Sequence, residues 1–393
     1  MTTAPSARLK LGSLEIGRFI AASLVVLTHI IPDINQHAAV AGYRILGGFT
    51  TPAPIGVQYF FVLSGFVMAT AHYNDFGKWA APPKFWWRRA CRIYPMYWLG
   101  LIIPLFYLYR QVTPWRGLML LSLPPVPMLD FIPPAWTLHY EIAFYLMFGL
   151  CLLPYIGKPL LAVWVLAVIW VSGPPEFFSA IGLPPPTALT SLAAISGGHF
   201  ISIFEFYFFA GLAAGWAFAS LRPDRNASIA VLALSLLWLL SCLPLIEWGN
   251  SFGQINHWYA LGWQAKPFGF KLFYGPSLMA PLIGIGMGGI MLGLAGLERH
   301  GVLRFGRLAS RLGAISYPLY ILHASLLLWV NIEFAGLKLG PAGLYAMFIV
   351  TAIGIFGLCA AITFTIDQPV QKLLRRAKWR WPARLRRGAT AGA

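Results

Sequence analysis

Apolar residues in this chain gather into ten long runs, each separated from the next by a shorter polar, proline-rich or glycine-rich stretch. The runs cover about 15–34, 56–73, 93–109, 135–154, 159–173, 199–220, 227–246, 276–297, 313–332 and 341–363. A helix that crosses the hydrocarbon core needs roughly 20 mostly apolar residues, and these runs have that scale. None shows the strict two-residue alternation of a transmembrane β-barrel. The pattern predicts an all-α integral membrane protein, with about ten transmembrane helices in one bundle. Residues 1–370 form the transmembrane domain and residues 371–393 a basic tail. The gaps between runs are too short to hold a second domain.

Composition agrees with the pattern. Of 393 residues, 58% are hydrophobic and 10% charged, whereas a soluble domain carries about 25% charged residues. The net charge of +17 raises the question of nucleic acid. The placement of the cations answers it. With the N-terminus in the cytoplasm and the runs alternating, 22 lysines and arginines fall on the cytoplasmic side and 6 on the outer side. That is the positive-inside distribution, and it puts both termini in the cytoplasm. No nucleic acid is needed to explain the charge. The tail "QKLLRRAKWRWPARLRR" reads as a contact with anionic lipid headgroups. No cleavable signal peptide is expected, because Arg18 interrupts the first run.

The informative residues are those that a bilayer should exclude: Arg18, His29, Glu141, Glu205, His323 and, near the inner end of the last run, Asp367. Arg18 and His29 bracket "RFIAASLVVLTH". Eleven residues turn an α-helix by about 1100°, three turns plus about 20°, so both side chains share one face about 16 Å apart along the axis. Taken singly, Arg18 reads as a snorkelling cation and His29 as an interfacial histidine. Their shared face points to a lined cavity, with a cation low and a base high.

"PPAWTLHYEIAFY" places Trp136 at the outer interface and Glu141 one to two turns deeper. Thr137, Glu141 and Tyr145 recur at i, i+4 on one face, while His139 points elsewhere. A carboxylate at that depth is protonated, paired or in a wet cavity. It lies at a depth from which it can pair with His29. In "KFWWRRACRIYP", Arg89 and Arg92 are three apart on one helix face. They read either as positive-inside anchors or as a phosphate clamp, for which paired guanidiniums are suited. "SYPLYILH" sets Ser316, Tyr320 and His323 at i, i+4, i+7, lining one face at mid-membrane. Glu205 in "FEFYFFAG" is a further cavity-lining candidate.

Other features read as packing. "LIGIGMGGIMLG" contains a GxGxxG string, but no strand precedes it. Its glycines, like Gly211 and Gly215, suit close helix crossing rather than a dinucleotide loop. Cys91, Cys151, Cys242 and Cys359 are scattered without metal-ligand or disulfide spacing, and no metal site is expected.

Five of these motifs, in order along the chain, resemble the acyltransferase-3 family. They are Arg-x10-His in the first run, "FFVLSGF" in the second, the RxxR of "RRACR", "WTLHYE" in the fourth and "SYPLYILH" in the ninth. The resemblance spans about residues 12–370. It implies a ten-span bacterial inner-membrane enzyme that acylates carbohydrates such as exopolysaccharide or the O-antigen of lipopolysaccharide. Arg18 and His29 match the family's essential pair, Arg89 and Arg92 its acyl-CoA-side motif, and Glu141 its fourth-span acid. Many relatives add an extracytoplasmic SGNH hydrolase domain, and this chain shows none, so direct transfer is expected. The implied donor is acyl-CoA, foremost acetyl-CoA. The partners are that donor, a carbohydrate acceptor (polysaccharide or lipid-linked oligosaccharide) and membrane lipid.

The residues fit such a reaction. Arg89, Arg92 and Arg18 would hold the phosphates and steer the arm of CoA. Neutral His29 would act as general base on the acceptor hydroxyl, and Glu141 would orient it. A polytopic transporter or lipid-linked-sugar flippase is the competing class. It also requires buried Arg, His and Glu, but no repeat relates the two halves of this chain.

Overall fold

A computed structural model describes residues 11–48, 53–108, 132–172, 175–184, 199–251 and 279–376, with isolated helical positions at 187, 189 and 191. Among these residues the chain is helical and has no strand; an isolated bridge joins Ala38 to Leu339. We number the helices α1 (Gly12–Asn35), α2 (Ala53–Ala71), α3 (Ala81–Leu108), α4 (Trp136–Cys151), α5 (Gly157–Ser172) and α6 (Pro175–Ala180). There follow α7 (Glu205–Ser220), α8 (Arg225–Ser251), α9 (Met279–Arg299), α10 (Arg307–Glu333), α11 (Pro341–Ile362) and α12 (Gln368–Arg376). Each of the ten apolar runs carries one of these helices, and α6 and α12 are short additions. Among the described residues, five helical stretches are long and apolar enough to cross a membrane on length and composition: Gly12–Asn35, Arg225–Cys242, Ala280–Arg299, Arg307–Glu333 and Pro341–Leu374. The loop cations Arg110, Arg116, Lys266 and Lys271, which the charge count assigns to the outer side, and the tail beyond 376 lie outside the described residues.

Side-chain exposure supports a lipid-facing exterior. Ile102, Phe106, Leu166, Leu237, Val350 and Ile353 are all more than half exposed, on the outer faces of α3, α5, α8 and α11. Contiguous apolar surface of this kind is not left to water by a soluble monomer. All four cysteines are buried in the packing.

The helices pack in a continuous series. α1 lies between α2 and α10, α10 reaches α3 and α11, and α3 packs on α4, which returns to α2. α7 lies against α2 on the far side, followed by α9 and α8. Glycine sets the closest crossings. A Cβ on Gly215 would stand 2.6 Å from the Phe66 carbonyl oxygen, and one on Gly211 would overlap the Val62 carbonyl. The glycines of "LIGIGMGGIMLG" serve two interfaces at once: Gly284 and Gly288 face Ala210 on α7, while Gly289 and Gly293 face Ser235 and Leu232 on α8. Backbones approach at such points because hydrogen side chains leave the room, a common device between apolar helices.

After α11 the chain makes one π-helical turn, Thr363–Asp367. The Thr363 hydroxyl donates to the Cys359 carbonyl at 2.6 Å, and Gln371 Nε2 donates to both oxygens of buried Asp367 at 2.9 Å. The added residue in a π-turn rotates the next helical turn about the axis, and so brings Asp367 inward.

Candidate functional site: an arginine-lined cavity and a histidine pair

Helices α1, α2, α3, α4 and α10 enclose a cavity lined by Arg18, Ser64, Arg89, Arg92, Thr137, Glu141, Tyr145, Ser316, Tyr317 and Tyr320, with apolar residues of α2. Helical periodicity explains the membership. On α2, Val57, Phe60, Phe61, Ser64, Val67 and Met68 repeat at three and four residues and turn inward. Gly65, the next residue of "FFVLSGF", faces the opposite way. A Cβ there would meet the backbone of α7 at Phe208 and Leu212. The Ser-Gly pair thus serves two interfaces: serine to the cavity, glycine to the crossing.

The lining of the cavity carries three cations. Arg18, Arg89 and Arg92 converge from α1 and α3, all three half-buried. Arg18 Nη1 pairs with Glu15 one turn earlier at 3.3 Å, while its Nε is buried without a hydrogen-bond partner. The Arg89 guanidinium lies between aromatic rings, 5.5 Å from the centroid of Phe85 and 5.3 Å from that of Tyr145. Its Nε is likewise buried and unpartnered. Trp86 fixes this part of α3, donating Nε1–H to the Tyr145 carbonyl of α4 at 3.0 Å. Buried guanidinium N–H groups without acceptors carry a desolvation cost that an anionic ligand would remove.

Glu141 occupies the middle. Tyr145 donates its hydroxyl to Glu141 Oε1, and Ser64 donates to the same oxygen at 3.3 Å while lying 2.9 Å from the tyrosine oxygen. One turn along α4, Thr137 and Tyr320 of α10 lie 2.8 Å apart, and both reach the Pro134 carbonyl, at 3.0 and 3.2 Å. On α10, Tyr317 donates to the Ile93 carbonyl at 2.7 Å and Ser325 to the Gly100 carbonyl at 2.7 Å. These bonds fix the register of α10 against α3.

Beyond Tyr320 stand two histidines. His323 Nε2 lies 3.3 Å from His29 Nδ1, with ring centroids 5.1 Å apart. His29 Nδ1 is also 2.8 Å from the Val25 carbonyl, and His323 Nδ1 is 3.1 Å from that of Leu319. The expected pairing of Glu141 with His29 therefore gives way to a different one. Glu141 bonds to Ser64 and Tyr145 in the arginine-lined cavity, and the ring that meets His29 is His323 of α10. The physical reason is depth: Glu141 lies beside Ser64 of α2, on the arginine side of Thr137, whereas His29 is about 16 Å along α1 from Arg18.

The other candidates divide clearly. Thr137, Glu141 and Tyr145 share the inward face as expected, as do Ser316 and Tyr320; the Ser316 hydroxyl donates to the Gly313 carbonyl of its own helix at 2.7 Å. Trp136 stands outside the cavity lining, on the face of α4 that it shares with Tyr140, where both rings pack against Phe204. Glu205 also stands outside it. The side chain is fully buried at the start of α7, and its Oε2 accepts from the Ser202 amide at 2.8 Å and from the Ser202 hydroxyl. It closes the loop before α7 instead of facing the cavity. His139 points away from Glu141 and packs on His199, with centroids 5.0 Å apart.

Two acidic residues near the site had no assignment from the sequence. Glu15 pairs with Arg18. Asp33, one turn beyond His29 and within electrostatic reach of it, accepts from Asn331 Nδ2 of α10 at 3.0 Å. Helical spacing finds both: i, i+3 from Glu15 to Arg18, and i, i+4 from His29 to Asp33.

An all-helical bundle with an apolar exterior, enclosing guanidiniums, a carboxylate and imidazoles, defines a multi-pass membrane protein with a polar site inside it. The comparisons specify which kind. The acyltransferase domain of the acyltransferase-3 family matches residues 11–366, and the chain belongs to that family. It is also similar to acyltransferase MdmB of Streptomyces mycarofaciens, at 33% identity over 168 residues, which is 37% of this chain and 40% of that protein. The matched part thus spans about two-fifths of that curated relative. No solved structure matches.

Proposed function

We propose that the protein is a membrane-bound O-acyltransferase of the bacterial inner membrane. It would move an acyl group, foremost acetyl, from cytoplasmic acyl-CoA to a hydroxyl of a cell-surface or lipid-linked carbohydrate. One observation carries the reading: three guanidiniums line a cavity whose wall at Tyr320 adjoins the His29–His323 pair. The positive-inside count supports ten spans with both termini, and the arginine end, toward the cytoplasm.

CoA presents phosphates at one end and a thioester at the other. Arg89 and Arg92 bind the phosphates, as guanidinium forks do, and Arg18 steers the arm. Pantetheine is about as long as four to five extended residues, or ~15 Å. That matches the step of about 16 Å from Arg18 to His29. The acceptor hydroxyl arrives from the outer side and gives its proton to His29. Its oxygen bonds to the thioester carbonyl carbon, the C–S bond breaks, and the proton passes to the departing CoA thiolate. The products are the O-acyl sugar and free CoA. Glu141 has a different part from that of a His partner: with Tyr145 and Ser64 it offsets part of the guanidinium charge and fixes the cavity wall.

Purified protein incubated with labelled acetyl-CoA and surface glycan tests the reading. Label on the glycan with the wild type, and none with His29→Ala at unchanged melting temperature, is expected. Unmodified glycan crossing proteoliposomes would place the chain among transporters instead.

A further inference from the structure

The hydrogen-bond geometry of the two histidines assigns their protons. Each Nδ1 lies within bonding distance of a backbone carbonyl four residues earlier: His29 to Val25 at 2.8 Å, His323 to Leu319 at 3.1 Å. A carbonyl oxygen only accepts, so each Nδ1 carries hydrogen. In neutral His323 the Nε2 is then a bare lone pair, and it lies 3.3 Å from His29 Nδ1. The His29 Nδ1–H is shared between that lone pair and the Val25 carbonyl. The last nitrogen, His29 Nε2, keeps its own lone pair and has no hydrogen-bond partner among the described residues.

The reverse arrangement fails on two counts. If His323 were an imidazolium donating to His29 Nδ1, two lone pairs would face each other 2.8 Å apart at Val25. It would also put a cation on a side chain with no exposed surface, bonded only to neutral groups.

We propose that His323 is a positioning residue for acyl transfer. Its Nε2 holds His29 in the Nδ1–H tautomer, which presents Nε2 as the base. When Nε2 takes the acceptor proton, the Nδ1–H···Nε2 bond becomes charge-assisted and stabilises the imidazolium. A neutral imidazole thus does at α10 what a carboxylate does in hydrolase triads. The inference rests on the reading of His29 as the base.

Two variants and one spectrum test it on the full-length protein in detergent. His323→Phe keeps a ring but loses the acceptor, while His323→Gln supplies a carbonyl oxygen that accepts from Nδ1–H. For His323→Phe we expect kcat to fall about 100-fold, equivalent to about 2.7 kcal/mol at 1.36 kcal/mol per tenfold. KM for acetyl-CoA stays within about threefold, because His323 does not line the arginine cavity. His323→Gln recovers kcat to within about tenfold of wild type. A kcat for His323→Phe within twofold of wild type, with His29→Ala inactive, overturns the positioning role and leaves the base intact. His323→Gln as impaired as His323→Phe, both melting like wild type, also overturns it. Activity in His29→Ala removes the base itself. Should the variants not fold, the wild-type protein decides. Histidine-selective 15N spectra, with His29 assigned from His29→Gln, are expected to show Nδ1 protonated and Nε2 bare; the opposite tautomer overturns the proposal.

Discussion

Replacing Arg89 by alanine tests whether the arginine end of the cavity binds the donor. The side chain sits 5.5 Å from the Phe85 ring centroid and 5.3 Å from that of Tyr145, with its Nε buried and unpartnered. Its aromatic contacts are worth about 0.5–1 kcal/mol each, and they are offset in the unliganded protein by release of a half-buried charge. The melting temperature should therefore move little. Donor binding has no such offset. A hydrogen bond to a charged group contributes about 1.5–3 kcal/mol, and each 1.4 kcal/mol is tenfold in affinity. The dissociation constant for acetyl-CoA should therefore rise roughly 10- to 150-fold. Arg89→Lys keeps the charge and loses the fork, and should fall between wild type and alanine. The assay is equilibrium binding of labelled acetyl-CoA to protein in nanodiscs, paired with initial rates. Binding within twofold of wild type for Arg89→Ala and Arg92→Ala alike, in protein that melts normally, refutes the assignment of phosphates to this end.

Other changes report on the remaining parts. Gly65→Ala forces a methyl into the α7 backbone at Phe208; overpacking of about 3 kcal/mol should follow, seen as lost expression or a lowered melting temperature. Tyr145→Phe removes the hydroxyl donor to Glu141 and should cost about 1–3 kcal/mol of thermal stability, with the guanidinium stacking retained. Asn331→Leu leaves Asp33 without its partner from α10 and should lower kcat more than it raises KM for acetyl-CoA, as steady-state rates will show.

The helices are legible from hydrophobic run length, because in a bilayer the same few physical demands fix length, polarity and internal hydrogen bonding. The inward faces are legible too wherever one helix suffices. Thr137, Glu141 and Tyr145, or Ser316 and Tyr320, follow from 100° per residue. The partners across helices are not. Nothing local to "LTH" or "YILH" states that α1 and α10 are neighbours, so depth alone pairs His29 with Glu141, whereas its partner is His323. Glu205 misleads for a related reason: a buried carboxylate looks functional until its loop is seen, and the Ser202 amide and hydroxyl are contacts that only the turn creates. Arg89 and Arg92 are ambiguous between anchor and clamp. Both look alike in sequence, and only the packing of α3 on α4 puts them in the lining of one cavity with Glu141.

The separation of the two ends has an electrostatic consequence. An imidazolium formed on His29 is repelled by every guanidinium in the cavity. At an effective dielectric of about 20, a unit charge 4 Å away would oppose it by about 4 kcal/mol, but one at 16 Å by only about 1 kcal/mol. Cations that bind phosphates beside the base would therefore work against its taking a proton. Distance along α1 reduces that conflict, and the proposed donor, with its phosphates at one end and its thioester at the other, would suit it. Glu15 and Glu141 at the arginine end and Asp33 near the histidines reduce the remaining repulsion further. On the proposed reading, the Arg-x10-His spacing would meet two requirements: one face of one helix, so that both side chains turn to the same side, and three turns of distance, so that each end keeps its own electrostatics.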